Sequence, residues 1–170
     1  MTVATRIRQG VLALRPKAEP HEDEIVRQWL SADQQRAFGA LSAHDRAHLV
    51  RVARALIATG STSSDLIVAG LLHDIGKADE HHQVRLLDRT VKVLLEHASP
   101  RLLNRLASRE HPVPLCGGLV LAVHHPEIGS ERAQVLGCTE RTCWLIKNHD
   151  NQALVDPDLH RLIDVDRSTP

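Results

Sequence analysis

Twelve histidines occur in the 170-residue chain, and several keep specific company. His73 and Asp74 stand side by side at the end of the apolar run DLIVAGLL, followed by Ile75, Gly76 and Lys77. An ionised carboxylate at the end of a buried apolar segment is costly unless something positive neutralises it. The chain offers further candidates in His48, the pair His124-His125, the pair His149-Asp150, and Asp166. Imidazole and carboxylate together are the ligand set of a divalent transition metal. A cation shared among these groups would neutralise Asp74 and orient His73.

These side chains must be positioned by helices, because the apolar spacing is helical almost throughout and few runs alternate with period two. Ser42 and Asp45 have capping-box spacing and open a helix to about Thr59, closed by Gly60, with Leu49, Val52, Ala53 and Leu56 facing inward. His48 lies on that helix. The next helix, Asp65 to His73, is apolar on nearly every face, as expected of a central core helix. Gly76 is read as its stop. Val84, Leu87, Val91, Leu94 and Leu95 predict an amphipathic helix ending before Pro100, followed by a short one over Arg101 to Ala107 and a connector over 108–114. The run LCGGLVLAVHH predicts a helix despite its two glycines. Pro126, with Glu127 beside it, is read as opening a new helix that Gly137 closes. Thr139 caps a helix to about Asn148, and Asp156-Pro157 starts the last one, through Val165. Asp166 follows Leu159, Leu162 and Ile163 at helical offsets and shares their face, whereas Asp164 is turned toward solvent. A tight Gly137–Thr139 turn would make the two flanking helices antiparallel and bring His125 beside His149.

The expectation is therefore an all-α, compact multi-helix bundle. It forms one domain over 1–170, with a helical preface over 1–40 and a metal-binding core over 41–167. Lys plus Arg and Asp plus Glu both number 21, so the formal net charge is 21 − 21 = 0. Nothing in that balance draws the chain to duplex nucleic acid or an anionic membrane, and three aromatic residues offer little on which to stack bases. No run is long and apolar enough for a membrane span or a signal peptide. Three cysteines without a C-x-x-C pair fit free thiols in a reducing cytoplasm.

The pattern His48, His73-Asp74, Asp166, with LLHDIGK at its centre, resembles the H…HD…D signature of the HD domain superfamily of metal-dependent phosphohydrolases. The stretch HHPEIGSERAQVLGCTERTCWLIKNHD is similar to the segment that follows in many bacterial HD proteins. The resemblance covers roughly residues 40 to 167. It implies that His48, His73, Asp74 and Asp166 hold a first metal. It also implies that His125 and His149 hold a second, bridged by Asp74. One or two of Fe, Mn, Zn, Ni or Co would be the cofactor. The implied reaction is hydrolysis of a phosphate ester, a nucleotide or small phosphorylated metabolite, by a metal-activated water. Asp74 and Lys77 would be the catalytic residues, Lys77 offering its charge to a phosphate oxygen. His124 and Asp150 would support the ligands, and Arg51 or Arg132 would clamp the substrate. The 51 residues from Asp74 to His125 are long for the family, so the helix Val84–His97 and its successor read as an insertion forming a lid. Two alternatives share the pattern: a di-iron HD-type oxygenase, and a signalling or scaffold domain without turnover. The cyclic-dinucleotide branch carries a G-Y-P motif, and this chain has no tyrosine.

Overall fold

Local signals place most helix boundaries. The computed structural model describes residues 22–79, 81–111 and 113–169. The first half of the expected preface, 1–21, lies outside them. Nine α-helices occur among the described residues: α1 Glu22–Trp29, α2 Ala32–Gly39, α3 Ala43–Ala58, α4 Ser64–Leu72, α5 Leu86–Ala98, α6 Pro100–Leu106, α7 Gly117–Val135, α8 Glu140–Asn148 and α9 Pro157–Ser168. A 3₁₀ turn spans Ile75–Lys77. No strand is formed among these residues, and one isolated bridge pairs Ala78 with Gln83. The molecule is an all-α bundle, as the periodicity predicts.

Caps start the helices that build the site. Ser42 Oγ accepts from the Asp45 amide at 3.1 Å, Ser63 Oγ from Leu66, and Thr139 Oγ1 from Thr142 at 3.1 Å. Asp156 accepts from the Leu159 amide at 2.9 Å, with Pro157 in the first turn behind it. Gly60 and Gly137 take φ of +81° and +74°, the left-handed conformation that ends a helix at little cost to glycine.

Helix α4 is central. Leu66, Ile67, Leu71 and Leu72 are fully buried, and the helix touches α1, α3, α8 and α9. Each such side chain contributes roughly 1.5–3 kcal/mol by leaving water. The α3 stripe of Leu49, Val52, Ala53 and Leu56 packs into the same core, as does the α9 stripe of Leu159, Leu162 and Ile163.

Two readings of the sequence need correction. Pro126 does not open a helix. It lies inside the nineteen-residue α7, which runs unbroken from Gly117 to Val135. A proline withholds one amide and removes one i→i−4 bond, but packing on α8, α5 and the 3₁₀ turn carries the helix through. Gly76, for its part, is not a conformational stop, since its φ is not positive. It is glycine because α7 crosses directly over it. A Cβ there would lie 2.1 Å from the His125 carbonyl oxygen and 2.7 Å from the Gly129 nitrogen.

Candidate metal centre

Six side chains from five helices and one turn meet in a single cleft. His48 comes from the middle of α3. His73 caps the C-terminus of α4, and Asp74 leads into the 3₁₀ turn. His125 comes from the middle of α7, His149 caps the C-terminus of α8, and Asp166 lies in the last turn of α9. Two helix C-termini, those of α4 and α8, thus converge on the cleft. Their partial negative charge favours a cation there.

The donor atoms form two trios that share one carboxylate. His48, His73 and Asp74 offer ligand atoms all within 4.8 Å of one another, and so do Asp74, His125 and His149. Asp166 Oδ1 closes the first group, 2.8 Å from His48 Nε2 and 3.3 Å from His73 Nε2. Asp74 divides its oxygens. Its Oδ2 lies 3.8 Å from His73 Nε2, and its Oδ1 lies 3.6 Å from His125 Nε2 and 4.0 Å from His149 Nε2. Two ligands each about 2.1 Å from a common transition metal sit about 3–4 Å apart, so these spacings fit such an ion.

Tautomers are set by backbone. His73 Nδ1 meets the Gly70 carbonyl at 3.1 Å, His125 Nδ1 the Ala122 carbonyl at 3.2 Å, and His149 Nδ1 the Ile146 carbonyl at 2.7 Å. A carbonyl only accepts, so each Nδ1 carries a proton. At His125 and His149 this leaves the Nε2 lone pair turned into the cleft, while His73 Nε2 faces Asp166 Oδ1 at 3.3 Å and donates to it. This is the arrangement by which metal-binding histidines are oriented from behind.

Charge in the cleft is balanced at short range. Burial pushes the Asp74 carboxyl up, but His73, Lys77, His125 and His149 around it hold it well below its ordinary value. Lys77 Nζ donates to Asp74 Oδ2. Burial also works against the Asp166 carboxylate, and the hydrogen bonds from His48 and His73 prevail and lower it. For His73 burial acts to lower the pKa, and Asp74 and Asp166 outweigh it and raise it. Burial wins at His125, which falls to about 3, and it lowers His149 as well. Both imidazoles are therefore neutral at physiological pH with free lone pairs, as a metal requires.

The remaining candidates divide. Asp150 lines the cavity and is exposed, while Asp164 faces solvent. His124 turns away from the cavity, its Nε2 bonded to the Ala107 carbonyl at 3.0 Å. It ties α7 to the end of α6. Arg132 is no substrate clamp: its Nη1 donates to the Ile75 carbonyl at 2.8 Å and also to the Ala78 carbonyl, fastening the turn that carries Asp74. Arg51 is not among the residues that line the cavity.

Some residues of the site escape a reading of the sequence. The cavity, about 440 Å³, is also walled by His44 and Asp45 of α3, Arg89 and Lys92 of α5, and Arg167 of α9. Arg89 Nη2 bonds Asp45 Oδ1 at 2.7 Å. The signal available was the i, i+3 spacing of Arg89 and Lys92, which puts both on the polar side of an amphipathic helix. Which way that side faces is a tertiary fact.

A scan of the chain against protein-family models, a search of curated proteins and a search of solved structures each returned no match.

Proposed function

We propose that the protein is a metal-dependent phosphohydrolase of the HD type, acting on a small phosphate ester in the cytoplasm. The observation that carries this reading is the pair of donor trios sharing Asp74. Four neutral-capable imidazoles and two carboxylates form a donor set for two divalent transition ions. Such ions, when bound, supply Lewis acidity to a phosphoryl oxygen and an acidified water at neutral pH.

The chain's own residues do the rest. Asp74 would be the common ligand, since one of its oxygens faces His73 and the other faces His125 and His149. His48, His73 and Asp166 complete one side, His125 and His149 the other. Lys77, which donates to Asp74 Oδ2, would offer its charge to a non-bridging phosphate oxygen. A cleft of about 440 Å³ is on the scale of a small-molecule site, which supports a small phosphate ester as the substrate. No helix among the described residues is long and apolar enough to cross a membrane.

The test is metal analysis of the purified chain followed by a screen against nucleotides and small phosphate esters. The reading expects one or two equivalents of Fe, Mn, Zn, Ni or Co, and phosphate release that Asp74→Asn abolishes. A coloured, oxygen-sensitive di-iron preparation without phosphatase activity would overturn it in favour of oxygenation. Metal without any turnover would favour a scaffold.

A further inference from the structure

The cavity over the metal-ligand cluster has a neighbour. A second cavity of about 190 Å³ is lined by Lys77, Val84, Arg89, Lys92, Val93, Ala122 and His125. Four of these, Lys77, Arg89, Lys92 and His125, also line the first cavity. The three cations therefore stand at the junction of the two spaces. The first cavity has Asp45, Asp74, Asp150 and Asp166 in its wall to offset them. No carboxylate lines the second. Its other walls are the apolar Val84, Val93 and Ala122.

Arg89 is the central member of this group. One end of its guanidinium is held by Asp45, through Nη2 at 2.7 Å. Its Nε is a buried donor with no acceptor among the described residues. Buried donors are satisfied in the great majority of proteins, so an orphan in a cavity wall points to a missing partner. Guanidinium is the side chain whose planar fork matches a phosphate. Lys92 stands one turn along α5, pointing into the same two cavities, with Glu96 at 3.1 Å as its neighbour.

Resting on the phosphohydrolase reading, we propose that Arg89 and Lys92 form a second phosphate-binding subsite at this junction, so that the substrate carries two phosphate groups. One phosphate lies over the Asp74 cluster and is the one cleaved. The other is gripped by Arg89 and Lys92. The organic part that joins or flanks them rests on Val84, Val93 and Ala122. Helix α5 is thus a substrate-selecting wall of the site: it makes monophosphates poor ligands because they leave Arg89 Nε without an acceptor.

Alkyl phosphonates test this without turnover, since their carbon–phosphorus bonds are not hydrolysed. Isothermal titration compares propylphosphonate with alkane bisphosphonates of two to four methylenes, on both the Mn²⁺-loaded and the chelator-treated full chain. In the wild type, the best bisphosphonate is expected to bind about tenfold or more tightly than propylphosphonate, on the scale of a charge-assisted bidentate contact. Arg89→Gln should erase that preference by weakening the bisphosphonate far more than propylphosphonate, while metal content stays unchanged. Arg89→Lys should fail to restore it, because an ammonium cannot reproduce the fork. Lys92→Gln should weaken it in part. Equal affinity for mono- and bisphosphonates in both forms of the wild type overturns the subsite, and so does a preference that survives Arg89→Gln. Metal uptake is read separately: a chain that takes up no metal refutes the phosphohydrolase reading, while an Arg89-dependent preference in either form still supports the subsite.

Discussion

Pro126 and His125 act as a pair: the amide that Pro126 lacks would have bonded the Ala122 carbonyl in a regular helix, and the His125 ring takes that carbonyl instead, at 3.2 Å. The proline empties an acceptor one turn back, and the adjacent imidazole uses it to fix its tautomer. Replacing Pro126 by Ala restores the amide, which then competes for the same oxygen. Helix propensity favours the variant by up to about 3 kcal/mol, so its melting temperature should rise. If His125 is a metal ligand as proposed, metal affinity should fall by about tenfold or more, as when an outer-shell partner is lost. Calorimetric unfolding and metal titration on the same sample check both halves.

The shared carboxylate makes the two trios unequal under mutation. His125→Ala with His149→Ala should reduce bound metal from two equivalents toward one and remove most activity. Asp74→Asn should lose both ions, because Asp74 reaches His73 through one oxygen and His125 and His149 through the other. Metal stoichiometry by elemental analysis reads the outcome. A double variant with full metal content and full turnover would leave a single four-ligand centre as the better account.

Burial of His125 gives the metal-free protein a pH dependence of definite sign. Its pKa is about 3 when folded, against 6.5 as the ordinary value. Between those values the unfolded chain binds the proton and the folded chain does not, so acidification favours unfolding. The stability that neutral His125 contributes is complete above pH 6.5 and is lost as pH falls toward 3. His149 acts in the same direction, while His73, whose pKa is raised, opposes. Urea unfolding of chelator-treated protein at pH 7 and pH 5 should therefore show a smaller difference for His125→Gln than for the wild type.

Close approach, not backbone freedom, explains Gly76. The atoms a Cβ would strike, the His125 carbonyl oxygen and the Gly129 nitrogen, belong to the backbone of α7 and cannot rotate away. Gly76→Ala should cost about 2–3 kcal/mol or more, the upper range for forced overpacking. It should also push the turn bearing Asp74 and Lys77 off α7, so metal affinity should drop with stability. Denaturant midpoints and metal titration test the two together.

Much of this molecule is written locally in its chain. Ser63, Thr139, Asp156 with Pro157, Gly60 and Gly137 mark helix ends because capping and left-handed φ depend on neighbours a few residues away. The apolar run of α4 declares a central helix for the same kind of reason, and His73-Asp74 at its end already poses the problem of a buried carboxylate. The convergence of His48, His125, His149 and Asp166 on that carboxylate rests on helix faces that periodicity reveals. Tertiary structure alone decided the rest. Pro126 stays inside α7 because packing on three neighbouring elements outweighs one lost hydrogen bond, a balance no local rule contains. Gly76 is required by a helix that crosses it some fifty residues later in the chain. Arg132 fastens the 3₁₀ turn by two carbonyls that sequence leaves unrelated to it. Arg89 and Lys92 enter the site only because α5 lies against α7 with its polar side over the cavity. Periodicity says which residues share a face; the long-range packing of one helix on another says what that face meets.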